Sequence, residues 1–276
     1  MLGITGSTGA LGGLVTQALA ADPGGDRLRL VVRDPARAPQ VGAEVRACEY
    51  GDEDPAVAAL DGVTTLLMVS AAEARDRREQ HRTFIRAAAR AGVSHVVYTS
   101  FSGASAAATF TLGRDHHDAE QAIRETGMVF TFLRDNFYLD VLPLFADREG
   151  VIRGPAGEGR VAAVARADVA DVATVVLRDP AAHAGATYTL TGPEALTMAE
   201  VADRAGAVLG RGLRFEDETV AQAYASRAAA YDVERWQLDA WVSTYTAIAD
   251  GSCATITDDV RRVAGHPPRT LEQALR

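Results

Sequence analysis

Near the start of the chain, Gly3-Ile-Thr-Gly-Ser-Thr-Gly-Ala-Leu-Gly-Gly13 sets Gly6, Gly9 and Gly12 at equal spacing directly after an apolar run. Each glycine has a physical task. Gly6 permits a tight turn, Gly9 lets the backbone approach a diphosphate, and Gly12 lets the following helix pack closely on a sheet. The unpaired N–H groups of such a turn, at the positive end of a helix, face whatever anion enters. Gly6, Ser7, Thr8, Gly9, Ala10 and Leu11 are therefore candidate pyrophosphate contacts. A glycine-rich turn also occurs as a mere tight connection; strand, turn and helix in that order argue for a dinucleotide.

The next apolar run ends in Val32-Arg33-Asp34-Pro35. An acidic residue there accepts the ribose 2′-OH of the unphosphorylated dinucleotide, whereas the Arg33 guanidinium suits a 2′-phosphate. Asp34 keeps a ribose contact open. After a third run, Asp52 either faces the adenine amino group or caps the helix that starts ahead of Pro55. NADP(H) is the expected cofactor.

The composition narrows the remaining chemistry. The formal net charge is −9 over 276 residues, so no basic surface is on offer for nucleic acid. All 28 basic residues are arginine, and lysine is absent. Cys48 and Cys253 are too few and too far apart for a disulfide framework or a metal site, and read as inert core thiols in a reducing compartment. Strand-like sequence begins at Leu2, and no stretch reaches the length of a membrane span. We expect neither a leader nor a membrane partner, and a cytoplasmic location.

The elements that must position these residues follow from periodicity. Strand-like runs at Leu2–Thr5, Leu28–Val32, Glu44–Cys48, Thr64–Ser70, Val93–Ser100 and Val129–Leu133 alternate with helix-period segments, one from about Ala10 and one ending at Ala91. The pattern predicts an α/β fold of Rossmann type, with a doubly wound parallel sheet. After Gly150 the rhythm breaks, with Gly154, Pro155, Gly157 and Gly159 marking a loop. A strand at Thr187–Leu190 and helices near Thr197–Leu209, Thr219–Tyr231 and Val233–Ala249 then suggest a smaller α/β substrate lobe. The expected division is 1–150 for the cofactor domain and 151–276 for this lobe, partly interleaved with the first.

These residues, with Leu66-Leu-Met-Val-Ser70, Gln80-His81, Val97-Tyr-Thr-Ser100 and Phe132-Leu-Arg-Asp-Asn-Phe-Tyr138, resemble the NmrA-like atypical short-chain dehydrogenases. Within that group the likeness is to bacterial NAD(P)H:quinone oxidoreductases and triphenylmethane reductases. It continues through Arg166-Ala-Asp168, Tyr188–Leu190 and the closing Gly265-His-Pro. The resemblance implies that Gly6 to Leu11 hold the pyrophosphate and Arg33 the 2′-phosphate, while Ser70, Ala71 and Ala72 form the loop passing the ribose and nicotinamide. It further implies that Asn136, Phe137 and Tyr138 lie at the nicotinamide and substrate end, and that Arg166 makes a polar contact near the cofactor. Where the family often has Glu-Asn, this chain has Asp140-Val141.

An ordinary short-chain dehydrogenase uses a Tyr-x-x-x-Lys pair, in which the lysine lowers the tyrosine pKa for proton exchange with the substrate. Without lysine that route is closed. Counting back from Glu120, His116 stands at the lysine position and Leu112 at the tyrosine position. His116 is the candidate catalytic residue, as a ribose contact or proton donor; a solvent-facing histidine at a helix start is the alternative. His117 is a weaker candidate, and His81 reads as structural or interfacial. Asp168 reads as the N-cap of a helix over Val169–Leu177, and Phe137 and Tyr138 as helix-borne aromatics that form core or a wall for a planar ring. Three functions stay open: hydride transfer from NADPH to a quinone or similar conjugated small-molecule acceptor; a non-catalytic NADP(H) redox sensor; and a pathway-specific ketone or enone reductase with His116 as donor. A homodimer is also open.

Overall fold

The computed structural model describes residues 1–22 and 27–276. The first part of the chain forms β1 (Leu2–Thr5), α1 (Ala10–Ala20), β2 (Leu28–Val32), β3 (Glu44–Ala47), α2 (Glu53–Leu60), β4 (Thr65–Met68), α3 (Arg77–Arg90), β5 (His95–Phe101), α4 (Thr111–Glu125) and β6 (Val129–Asp135). Then follow β7 (Val151–Gly154), β8 (Arg160–Val161), α5 (Arg166–Arg178), β9 (Thr187–Leu190), β10 (Leu196–Thr197) and α6 (Met198–Leu209). The chain closes with β11 (Arg214–Asp217), α7 (Val220–Ala230), α8 (Arg235–Ala249), α9 (Asp259–Ala264) and α10 (Leu271–Ala274). Among the described residues, no helix is long and apolar enough to cross a membrane.

Seven strands form one sheet in the order β3-β2-β1-β4-β5-β6-β9. Its central strands are buried throughout, β1 over four residues and β5 over seven, as continuous apolar runs require when helices cover both faces. Parallel registers fix the neighbours of β1, with Leu2 beside Leu28 of β2 and beside Thr65 of β4. Strand order reverses at β1 and β4, so the crevice beyond their carboxyl ends is the place where such sheets bind ligands. The expected doubly wound architecture is therefore present.

Several elements depart from the sequence-based expectation. Thr187–Leu190 completes the main sheet beside β6 rather than standing in a separate layer. Gly154, expected in a loop, instead ends the strand Val151–Gly154, because Arg214–Asp217 pairs with it in parallel register. Phe137 and Tyr138 are not helical. Phe137 lies in a bend and Tyr138 forms an isolated parallel bridge with Val164, with Val164 N–H donating to Phe137 O (2.8 Å) and Leu139 N–H to Val164 O (2.9 Å). Helix α5 starts at Arg166, which moves Asp168 from the cap into the first turn. α6 opens with a capping box formed by Thr197 and Glu200.

The chain forms two compact units. One consists of Met1–Ser100, Asp115–Arg134 and Val169–Tyr188, the other of Phe101–Arg114, Asp135–Asp168 and Thr189–Arg276. The first has a core that includes Leu66, Met68, Phe84, Ile85, Tyr98 and Phe132. Full burial of a side chain such as Phe84 stabilises by roughly 1.5–3 kcal/mol. The second has its own core, which includes Ile152, Val161, Met198, Val201, Tyr245 and Ile248.

Candidate functional site

In the first unit, β1 runs into a turn at Gly6, whose φ of 65° lies in the left-handed region that favours glycine. Gly9 N–H donates back to Gly6 O (2.9 Å). A Cβ at Gly12 would stand 2.3 Å from Gly6 O and 2.9 Å from Ser7 N, so helix and turn are in contact through backbone alone. α1 begins after Gly9 with no side-chain cap and no acidic residue in its first turn. Its leading N–H groups are unspent by side chains, and no carboxylate repels an incoming anion. Ser7 Oγ is buried without a hydrogen-bond partner among the described residues, a situation that costs about 1–3 kcal/mol until an acceptor arrives.

Arg33, at the carboxyl end of β2, is exposed and makes no hydrogen bond or ion pair with the other described residues. Asp34 is engaged, accepting from Ala36 N–H (3.0 Å) as the cap of a single helical turn over Pro35–Arg37. Asp52 occupies the N-cap position of α2, yet its side chain caps nothing and is exposed, so the capping alternative does not hold. Between these residues stands one that the sequence did not single out. The Tyr50 hydroxyl lies 2.6 Å from both Thr5 Oγ1 and Val69 O, and its ring stacks on Phe84 at 4.2 Å. Burial pushes the phenol pKa far up, which leaves it a fixed link between the ends of β1 and β4.

The loop Ser70–Ala72 after β4 is held by side chains from elsewhere. Ser70 N–H donates to Thr99 Oγ1 (2.9 Å), and Ala71 N–H to His81 Nε2 (2.9 Å). Arg77 Nε donates to Ala71 O (2.9 Å), so both backbone groups of Ala71 are clamped from one face of α3. Ala72 is exposed. Arg77 continues to His116, its Nη2 lying 3.2 Å from His116 Nε2, while His116 Nδ1 lies 3.0 Å from the Tyr98 hydroxyl. A guanidinium only donates, so Nε2 accepts and the proton of the neutral ring sits on Nδ1. The same reasoning puts the His81 proton on Nδ1, a buried atom with no hydrogen-bond partner among the described residues. Burial, and next the Arg77 charge, hold both imidazoles well below their ordinary pKa.

His116 is thus a buried residue inside α4, 7% exposed, and the solvent-facing alternative does not hold. His117 is half-buried. Farther along α4, the buried Glu120 accepts from Ser100 Oγ (2.6 Å) and from two nitrogens of Arg134 (2.8 and 2.6 Å).

In the second unit the segment after β6 is locked from within. Asn136, 2% exposed, donates from Nδ2 to Cys253 O (2.9 Å) and accepts Phe137 N–H (2.8 Å). The Phe137 ring centroid lies 4.9 Å from that of Phe101 and 5.1 Å from that of Phe110, an aromatic trio with Phe137 partly exposed. The Tyr138 hydroxyl donates to Asp135 Oδ2. Arg166 stands 6.0 Å from the Tyr138 ring and is paired with Asp140, which accepts from its Nε and backbone N–H. Asp168 is not a cap; it accepts the Arg269 N–H (2.7 Å) and pairs with the Arg269 guanidinium.

Comparison with known proteins decides the family. Residues 6–180 match the NAD(P)H-binding family model. The chain is 31% identical to quinone oxidoreductase 2 of Escherichia coli, over 100% of this chain and 97% of that protein. The chain belongs to the NAD(P)H-binding family. The crystal structure of the Escherichia coli NADPH-dependent quinone oxidoreductase with NADPH aligns at a TM-score of 0.88, covering 100% of this chain and 98% of that one. The Citrobacter triphenylmethane reductase with NADP(H) aligns at 0.86 and 28% identity, covering 100% and 99%. An NAD(P)H azoreductase of Xenophilus azovorans is 31% identical over 99% of this chain and 96% of that protein.

The first unit fits the diphosphate that membership of the NAD(P)H-binding family requires. Its orphaned Ser7 hydroxyl lies within the turn, the helix start carries no competing acid, and Arg33 is unspent. The residues that sequence reasoning missed are Tyr50, Arg77 and Thr99. For Arg77 a signal existed, since it stands four positions before His81 on the same face of α3.

Proposed function

We propose that this chain is a reductase that passes a hydride from NADPH to a quinone or similar conjugated acceptor. The observation that carries the reading is a phosphate turn with its donors unspent, in a chain that resembles NADPH-dependent reductases from end to end and contains no lysine. Gly6 to Leu11 grip the diphosphate through backbone N–H groups and the Ser7 hydroxyl. Arg33 binds the 2′-phosphate, and Asp52 faces the adenine. Ser70, Ala71 and Ala72 pass the ribose, and Asn136, Phe137, Tyr138 and Arg166 belong to the nicotinamide and acceptor end.

Bound NADPH supplies the hydride. Addition to a quinone leaves an aromatic hydroquinone anion, which demands far less acid assistance than the alkoxide from a ketone, so the missing Tyr-x-x-x-Lys pair is no obstacle. The partly exposed Phe137 ring offers an apolar wall for a planar acceptor. His116 is neutral and engaged at both nitrogens, which suits it to holding Arg77 and Tyr98 in place rather than to donating a proton. Two unpaired cysteines support a reducing, cytoplasmic setting.

The test is NADPH oxidation with a simple naphthoquinone, monitored at the NADPH absorbance. Turnover is expected; tight binding of NADPH and NADP+ without turnover would mark a sensor instead. Arg33→Ala is expected to weaken NADPH binding about ten- to a hundredfold while leaving NADH binding unchanged. An unchanged preference removes Arg33 from the site.

A further inference from the structure

β6 ends in Asp135, a carboxylic acid that nothing above employs. It is 5% exposed, and its side-chain oxygen Oδ2 is bonded by the hydroxyl of the half-buried Tyr138, three residues later. Phe137, between them in sequence, packs with Phe101 and Phe110. Among the described residues, the charged groups facing the pair are Arg166, beside the Tyr138 ring, and Asp140, which pairs with Arg166. The neighbouring strands end in Phe101 and Leu190, neither of them ionisable.

Resting on the reductase reading, we propose that Tyr138 is the group that protonates the reduced acceptor and that Asp135 is the positioning residue that aims and recharges it. A carboxyl bonded to a phenol has two arrangements. When Asp135 is ionised, its oxygen accepts the Tyr138 hydrogen and keeps it from the acceptor. When Asp135 is protonated, it donates to the Tyr138 oxygen and turns the phenolic hydrogen outward. Burial favours the second arrangement, raising the Asp135 pKa from its ordinary value to about 7. Tyr138 by itself is a poor acid, since burial and the neighbouring Asp135 hold its pKa well above the usual phenol value. Its proton is therefore replaced as it leaves.

The step balances. Hydride from NADPH forms a bond to the acceptor, whose oxygen gains the electron pair. The Tyr138 O–H bond breaks as an O–H bond forms on that oxygen. The Asp135 O–H bond breaks to restore the phenol, and water reprotonates the carboxylate. NADPH, one proton and the acceptor give NADP+ and the two-hydrogen product.

The experiment uses the full chain with a naphthoquinone and NADPH, at pH 5.5 to 9. Wild-type kcat is expected to fall above about pH 7. Tyr138→Phe is expected to lower kcat about tenfold or more, and Asp135→Asn to flatten the pH profile. Wild-type kcat for Tyr138→Phe, or a wild-type pH profile for Asp135→Asn, overturns the proposal. Absence of turnover in the wild type would instead strike the reductase reading. A readout independent of turnover is infrared titration of the protein without cofactor. A protonated carboxyl band should vanish as pH rises through about 7 and be absent in Asp135→Asn; no such band in the wild type overturns the proposal.

Discussion

Two loops of the first unit reach the same end by different means. Gly6–Leu11 is shaped by its own backbone: a left-handed turn, a helix start and a contact at Gly12 that admits no added atom. Ser70–Ala72 is shaped by others, since Thr99, His81 and Arg77 hold its backbone groups. A backbone-built loop depends on what is missing from its side chains. A clamped loop depends on what a few distant residues supply. The first should fail when an atom is added, the second when one is removed.

The sharpest test adds one carbon. Gly12→Ala puts a Cβ on Gly6 O and is expected to cost about 3 kcal/mol in urea unfolding and to abolish NADPH binding by calorimetry. His81→Ala deletes the acceptor of Ala71 N–H and is expected to cost about 2–3 kcal/mol, with weaker cofactor binding. If Gly12→Ala proves the milder of the two, the distinction fails. Tyr50→Phe, which removes the hydroxyl joining the two strand ends, should cost about 1–2 kcal/mol with the fold retained by circular dichroism.

That contrast also explains what can be read from the chain. Glycine spacing is local, so the turn, the helix and the parallel sheet are legible in the order of residues alone. The clamp is not, because Arg77 and Thr99 meet Ser70 and Ala71 only after β4 and β5 pair. His81 and His116 are visible as histidines, but their neutrality follows from burial beside Arg77, which no local pattern encodes. Val151–Gly154 is hidden for a similar reason, as its partner β11 lies some sixty residues away. The aromatics after β6 suggest a helix by local pattern because the bridge from Tyr138 to Val164 that replaces it is non-local.

One further effect separates the clamp from the acid end of β6 by their opposite response to pH. His81 and His116 have folded pKa values below their ordinary 6.5, so the unfolded chain binds the extra protons. Their contribution is whole above pH 6.5 and declines as pH falls, each by about 1.4 kcal/mol per unit. Asp135, raised from 3.8 to about 7, acts the other way: the folded chain holds the extra proton, and stability declines as pH rises between those values. Asp135→Asn removes this offset. Urea midpoints between pH 4 and 6.5 should then depend on pH more steeply than in the wild type, by about 1.4 kcal/mol per unit. Equal slopes would show that Asp135 is ionised throughout.

Quinones are soft electrophiles that arylate thiolates and side-chain amines. Cys48 and Cys253 are both buried, and burial pushes each thiol up to about 11, so neither presents a thiolate at neutral pH. Every basic side chain other than histidine is a guanidinium, protonated and a poor nucleophile. An enzyme that handles such acceptors thus exposes little that they can alkylate, and self-inactivation during turnover is held off by the chain's own composition.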